Sequence, residues 1–230
     1  MMKNKPYPDV PEKQLRLMSA LAGLQPSSLG HHLEDSLPAD IKLMTPASLC
    51  LGTAVTVYQP TNDSTPVHMA IELLTPGDVL VIDRAASQRV ACVGEMVATA
   101  AKLKGAKGIV VNGLITDLEQ VSTLAIPVFA RGCSVITTRA LYSPGAQLGE
   151  SVTIGGIEIK TGDIIFGDAN GLLSIDPLDP RIWEVIELSV KDEIFEKEAM
   201  FELQHGTSLA SLNGVDRERF FRDVHKSPVF

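Results

Sequence analysis

Positive charge is in short supply in this chain. Its 20 Lys and Arg face 28 Asp and Glu, a formal net charge of −8. A general nucleic-acid binder needs a basic face, so this balance argues against one, and it offers no attraction to an anionic membrane. Cysteine is scarce as well. Cys50, Cys92 and Cys133 are odd in number and far apart, with no C-x-x-C pair. That argues against a disulfide framework or a zinc site and fits a reducing cytosol. No apolar run reaches the roughly 18 residues of a membrane helix. The opening "MMKNKPYPDVPEKQ" lacks the apolar segment of a secretory signal. Gly155-Gly156 is not a phosphate loop, because no Gly-Lys-Ser/Thr follows. No internal repeat or low-complexity tract is evident. The expectation is a cytoplasmic protein with neither nucleic acid nor membrane as partner.

What is present is ample core: 230 residues, 45% of them hydrophobic, enough for one large domain or two small ones. Residues 1–12 read as a loose arm. "EKQLRLMSALAGL" has helical spacing, with Leu15, Met18, Leu21 and Leu24 on one side. "CLGTAVTVYQP" reads as a strand ended by Pro60, and a helix in "TNDSTPVHMAIELLTPG" is stopped by Pro76-Gly77. "DVLVIDR" is a β-branched run, the pattern of a strand buried on both faces. "GEMVATAAKLKG" (helix), "AKGIVVNG" (strand), "TDLEQVSTLA" (helix) and "IPVFARG" (strand) complete parallel βαβ units. "SVTIGGIEIKTGDIIFGDANGLLSID" is broken by hairpin signals and predicts an antiparallel layer. A long closing helix is expected from Asp179-Pro180, as N-cap and N1, to Gly206. One α/β domain over 13–206 with a peripheral tail over 207–230 follows.

Ligands of open α/β sheets sit beyond the carboxyl ends of the parallel strands. Two loops there carry chemistry. One ends at Gly94-Glu95-Met96-Val97, a helix first turn whose free N–H groups suit a carboxylate or phosphate. The other ends at Thr116-Asp117. If the strands are neighbours, Glu95 and Asp117 face one cleft, and two carboxylates beside an anion-binding turn suit a hard divalent cation holding an oxyanionic substrate. Plainer readings stand beside these. "TDLE" is a capping box, with Thr116 at N-cap and Glu119 at N3, and Glu95 is an acid where a helix N-terminus favours one. Cys92 reads as a buried small residue rather than a nucleophile, since no histidine accompanies it. His31-His32 reads as a surface pair without a partner at metal spacing.

The segments "GTAVTV", "PGDVLVID", "GEMVATAAKLKGAKGIVVNGLITD", "IPVFARG" and "GGIEIKTGDIIFGDANGLLSID" occur in an order that resembles the RraA-like family. That family includes the regulator of ribonuclease activity A and the class II 4-hydroxy-4-methyl-2-oxoglutarate aldolases. The resemblance covers about Leu21 to Pro177. It implies a swivelling β/β/α sandwich and a homo-oligomer, a trimer or a dimer of trimers, with sites at subunit interfaces. It implies that Gly94, Glu95, Met96 and Val97 take the place of a turn that binds the pyruvyl carboxylate by backbone N–H groups. Thr116-Asp117 takes the place of an Arg-Asp pair whose Asp holds Mg²⁺ or Mn²⁺ and whose Arg holds substrate oxygens. A second acid comes from a neighbouring subunit's closing helix; Glu196 matches it, with Asp192 and Glu193 as rivals.

The departure is Thr116, which has one hydroxyl and no charge where the family has a bidentate guanidinium. Losing such an oxyanion donor costs about 2.7–4 kcal/mol, roughly 10²–10³ in rate. Arg139, Arg131 and Arg89 are candidates to replace the cation. The leading expectation is a metal-dependent carbon–carbon lyase on a small 2-oxo acid. On that reading Asp117, Thr116 and Glu95 are catalytic, Arg139 assists substrate binding, and Asp117, Glu95 and Glu196 serve the metal. The alternatives are a non-catalytic regulator and an enzyme on another anionic metabolite.

Overall fold

The computed structural model describes residues 12–47, 49–84, 89–139 and 141–224, so all but the last residue of the expected N-terminal arm lies outside it. The chain opens with α1 (Glu12–Leu21), α2 (Pro26–Gly30), β1 (Lys42–Leu43), β2 (Cys50–Tyr58), α3 (Thr65–Leu73) and β3 (Asp78–Asp83). The centre holds β4 (Ala91–Val93), α4 (Glu95–Leu103), β5 (Gly108–Ile115), α5 (Leu118–Thr123) and β6 (Val128–Cys133). Then come β7 (Gln147–Leu148), β8 (Val152–Ile154), β9 (Ile157–Ile159), β10 (Ile164–Asp168) and β11 (Gly171–Ile175). Helices α6 (Ile182–Gln204), α7 (Leu209–Leu212) and α8 (Arg217–Val224) follow.

The main sheet runs β1-β6-β5-β3-β2-β10-β11, with β4 on β5 and β7 on β2. Its centre is parallel: β2 with β3, β3 with β5, and β5 with β6. All six residues of β3 are buried, as expected of a central parallel strand. Val67 and Ile71 of α3, Ala98 and Ala101 of α4, and Val121 of α5 cover one face. The β8–β9 hairpin covers the other through Val152, Ile154 and Ile159, with Leu37 and Ile41. The expected antiparallel layer therefore divides: β8–β9 is a separate two-stranded sheet, while β10–β11 joins the main sheet alongside β2.

A third apolar cluster sits where α1, α2 and the start of α6 pack on β10 and β11, through Leu17, Leu21, Leu29, Phe166, Ile182 and Ile186. This corrects the face expected of α1. Leu15 is 57% exposed and Leu17 carries the contact, because the buried line runs Gln14, Leu17, Leu21 at spacings of three and four. The start of α6 is also later than expected. Arg181 is its N-cap, since Asp179 Oδ1 accepts the Arg181 N–H at 2.8 Å and uses its carboxylate in the preceding turn. Beyond Glu193 the helix leaves the body, and Ile194, Phe195, Met200 and Phe201 are exposed. The tail forms α7, with no buried residue, and α8, whose Phe220 and Phe221 are exposed. No helix among the described residues is long and apolar enough to cross a membrane.

Candidate active site

Strands β4, β5 and β6 end side by side, with Val93 paired to Ile115 and Ile115 to Cys133. The next residues, Gly94 and Thr116, are thus the first beyond the carboxyl edge. The Thr116 N–H donates to Val93 O at 2.8 Å. Asp117 then turns left-handed, at φ 55° and ψ 41°, a conformation Asp tolerates better than most residues. That turn throws its carboxylate across to the neighbouring helix. The Glu95 N–H donates to Asp117 Oδ2 at 3.1 Å, and the Thr116 hydroxyl donates to Asp117 Oδ1 at 3.2 Å.

This geometry overturns the capping box. The N-cap of α5 is Asp117, not Thr116, and it makes no side-chain cap bond to its own helix. Glu119 accordingly falls at N2 rather than N3. Asp117 instead supplies negative charge at the N-terminus of α4, where the helix dipole favours it. Gly94 makes the approach possible: a Cβ there would lie 2.5 Å from Asp117 Oδ2 and 2.7 Å from Thr116 Cγ2. Of the turn's amides, Glu95 N–H is taken by Asp117. Those of Met96 and Val97 belong to the first turn and have no acceptor within the helix. The side chains of Glu95 and Met96 are exposed.

Asp117's hydrogen-bond partners among the described residues are the Glu95 amide and the Thr116 hydroxyl, so none of the three candidate arginines reaches it. Arg131 is committed elsewhere: its Nε donates to Asn112 Oδ1 at 2.7 Å and its Nη1 to Asp40 Oδ2. Arg139 pairs through its backbone with Asn62 and Ser64. Arg89 lies beside Ser134, whose hydroxyl donates to Arg89 O at 2.6 Å. A fourth arginine was not foreseen. Arg84 follows β3 and is 2% exposed, with guanidinium N–H groups donating to Thr61 O and Asn62 Oδ1. It pins the loop that enters α3.

The closing-helix acids separate. His32 Nε2 is 2.6 Å from Asp192 Oδ2, so the histidine pair does have a carboxylate partner, which lies 160 residues away in sequence. Glu193 accepts the Gln25 N–H at 2.8 Å and the Ser28 hydroxyl at 2.9 Å, holding α2 to α6. Glu196 is exposed and lines a groove of about 480 Å³ with His31, Phe195 and Met200. Within one chain, no three His, Cys, Asp or Glu side chains of the described residues gather as a metal group. Cys92 is 4% exposed and burial pushes its thiol up to about 12, so it is inert as a nucleophile, as its reading predicted.

A mixed α/β sheet whose parallel strands end at the first turn of α4 and at a left-handed aspartate defines the class. The chain belongs to the RraA-like family, described as Aldolase/RraA, whose sequence profile matches residues 27–173. A Halalkalibacterium halodurans protein named "Putative 4-hydroxy-4-methyl-2-oxoglutarate aldolase" is 32% identical over 140 residues, 61% of this chain and 66% of that protein. The match thus stops just short of two thirds of that relative's length. An Arabidopsis thaliana protein named "Putative 4-hydroxy-4-methyl-2-oxoglutarate aldolase 3" is 29% identical over 54% of this chain and 74% of its own length. Among solved structures, an uncharacterized protein from Pseudomonas syringae pv. tomato superposes with a TM-score of 0.73 at 23% identity, over 90% of this chain and all of that one. That likeness concerns the fold alone. The RNA-processing inhibitor RraA from Thermus thermophilis gives a TM-score of 0.56 at 25% identity, over 61% of this chain and 84% of its own.

Proposed function

We propose that this chain is a divalent-metal-dependent carbon–carbon lyase of the aldolase or oxaloacetate-decarboxylase type, acting on a small 2-oxo acid. The observation that carries the reading is the Asp117 carboxylate held over the first turn of α4, 3.1 Å from the Glu95 amide. Each of its oxygens accepts one hydrogen bond, which leaves further lone pairs on both. It is exposed and offers hard oxygen donors. That donor set fits Mg²⁺ or Mn²⁺, of which Mg²⁺ takes one or two carboxylates and keeps several waters. When bound, the cation supplies a Lewis acid for the 2-oxo group.

The chain's own residues supply the rest. The Met96 and Val97 amides, at the positive end of α4, bind the substrate carboxylate. Asp117 holds the cation, and Glu95 flanks it through water. Thr116 holds Asp117 in place with its hydroxyl. In this reading Glu196 comes from a second copy of the chain. Two observations support Glu196 over its rivals: Asp192 and Glu193 are engaged by His32, Gln25 and Ser28, and α6 leaves the body with exposed apolar residues that a neighbour would cover.

Pyruvate release from oxaloacetate and from 4-hydroxy-4-methyl-2-oxoglutarate, with Mg²⁺ or Mn²⁺, tests the proposal. Cation-dependent turnover that disappears in Asp117→Asn is expected. No turnover of either substrate with either cation would leave the second reading, a binding protein without catalysis. What favours that reading is the Thr116 hydroxyl, already bonded to Asp117 and carrying no charge for developing oxyanions.

A further inference from the structure

On the sheet face away from α4, the parallel strands carry a row of polar side chains at one level. Asp83 of β3 pairs in register with Asn112 of β5, and β6 places Arg131 next to them. Asn112 Nδ2 donates to Asp83 Oδ1 at 2.7 Å, and Asn112 Oδ1 accepts from Arg131 Nε at 2.7 Å. Arg131 continues to Asp40, which is exposed. The side chain at 112 must donate at one end and accept at the other, because a carboxylate only accepts and a guanidinium only donates.

This row falls where β5 breaks step with β6. Val111 pairs with Ala130, but the next pair is Leu114 with Gly132. Three steps along β5 thus match two along β6, so Asn112 and Gly113 share the space opposite Arg131. Such bulges bend a strand and re-aim the residues after them. Gly113 is needed in this one, since a Cβ there would lie 2.9 Å from Arg84 Cβ. Past the bulge, Ile115 pairs with Val93 and Cys133, Thr116 bonds Val93, and Asp117 reaches the Glu95 amide. A one-residue slip would carry every later side chain to the opposite face.

We infer that Asn112, gripped between Asp83 and Arg131, is a positioning residue that holds the β5 bulge and thereby aims Asp117 at the first turn of α4. The rival account is that the burial of Ile115 (0% exposed) holds the register without help. The inference bears on the proposed lyase only through Asp117, and its test reads the Asp117 contact without reference to turnover.

The Glu95 amide is the reporter. As a first-turn N–H it has no acceptor within its helix, and Asp117 Oδ2 is its partner. Its hydrogen exchange, followed by NMR in the full chain, therefore measures that one bond. Asp117→Ala, which has no side-chain acceptor, sets the unprotected reference. In Asn112→Ala we expect protection of this amide to fall about tenfold, close to that reference, as one lost hydrogen bond implies. Amides of β3 should keep theirs, showing that the loss is local. Wild-type protection at Glu95 in Asn112→Ala would overturn the inference and leave Ile115 as the holder. If Asn112→Ala does not fold, Asp40→Asn decides. It loosens the exposed end of the row, so a two- to threefold loss at Glu95 is expected, on the order of a weakened surface pair, and no change overturns the inference. A parallel Mn²⁺ titration separates the two claims. Failure of the wild type to bind Mn²⁺ removes the metal reading, whereas the exchange data still decide the role of Asn112.

Discussion

Gly94→Ala is the smallest perturbation that tests how the site is built. At φ −136° and ψ −166° the backbone of Gly94 is extended, a conformation open to alanine, so the effect comes from the added methyl group alone. That carbon would sit 2.5 Å from Asp117 Oδ2 and 2.7 Å from Thr116 Cγ2, inside the 3.0 Å that Cβ contacts essentially never cross. The helix start cannot yield easily, because Ala98 and Ala101 behind it are fully buried. Asp117 must move instead and lose the Glu95 amide. A hydrogen bond to a charged group contributes about 1.5–3 kcal/mol. Exposure of the carboxylate and relief of its left-handed backbone reduce the net loss to about 1–2 kcal/mol. For a chain of this size that lowers Tm by roughly 3–6 °C. Mn²⁺ affinity should fall about tenfold or more, as it does when groups that orient a metal ligand are disturbed. Thermal melts and Mn²⁺ titrations of both proteins check this. A variant that matches the wild type in both would show that Asp117 does not depend on the space Gly94 leaves.

Thr116→Arg places a guanidinium beside Asp117, where charge develops in an aldol cleavage. Pyruvate release should rise by up to the roughly 10²–10³ of one oxyanion donor, and robust wild-type turnover that drops in the variant would refute the account. Light scattering should show an oligomer, a trimer or hexamer; a monomer at micromolar concentration removes the shared site and Glu196 with it. Asp163 is 6% exposed, and burial, reinforced by Asp176 and Glu158, raises its pKa from 3.8 to about 6 despite the bond from the Lys160 amide. The folded state then holds this proton more tightly than the unfolded chain. Its contribution is complete below pH 3.8 and is lost as pH rises through about 6. Asp163→Asn should therefore stabilise the protein at pH 8, by on the order of 2–3 kcal/mol, and differ little at pH 3.5; denaturant melts at the two pH values decide it.

The parallel core was legible because β3 and β5 each carry an unbroken apolar run, residues 79–82 and 109–111, and such a run reads as a strand buried on both faces. The two candidate loops were legible for the same reason, since they follow the carboxyl ends of those strands, and the structure brings Glu95 and Asp117 together there. Their detail was not. "TDLE" fits a capping box as text, yet the left-handed turn at Asp117 sends the carboxylate to another helix. Nothing local encodes that, because the partner is the amide of a residue 22 positions earlier. Asn112 was hidden likewise: its partners lie 29 and 19 residues away, and a bulge leaves no mark on an apolar pattern. His32 paired with Asp192 across 160 residues for the same reason. Gly94 was named from sequence as part of the turn, but its role in leaving room for the Asp117 carboxylate was not visible there.

The charge at this site makes a last, separate demand. Glu95 and Asp117 are both carboxylates, and Thr116 beside them carries no charge. The proposed 2-oxo acid would bring a further negative charge to the same turn. Between exposed like charges about 4 Å apart repulsion runs from about 1 kcal/mol in water to about 4 kcal/mol at the effective dielectric of a protein surface, while one helix N-terminus returns about 0.3–1 kcal/mol. On the proposed reading the amides of Met96 and Val97 therefore would not hold the anion unaided, and a divalent cation on Asp117 would reverse the balance. Binding of cation and anion must then be linked, and linkage is reciprocal. Calorimetry should find oxalate weak or silent without Mn²⁺ and bound with it, and oxalate should tighten Mn²⁺ by the same factor. Oxalate that binds equally well with and without Mn²⁺ would show that another cation of the chain, and not a metal on Asp117, neutralises the site.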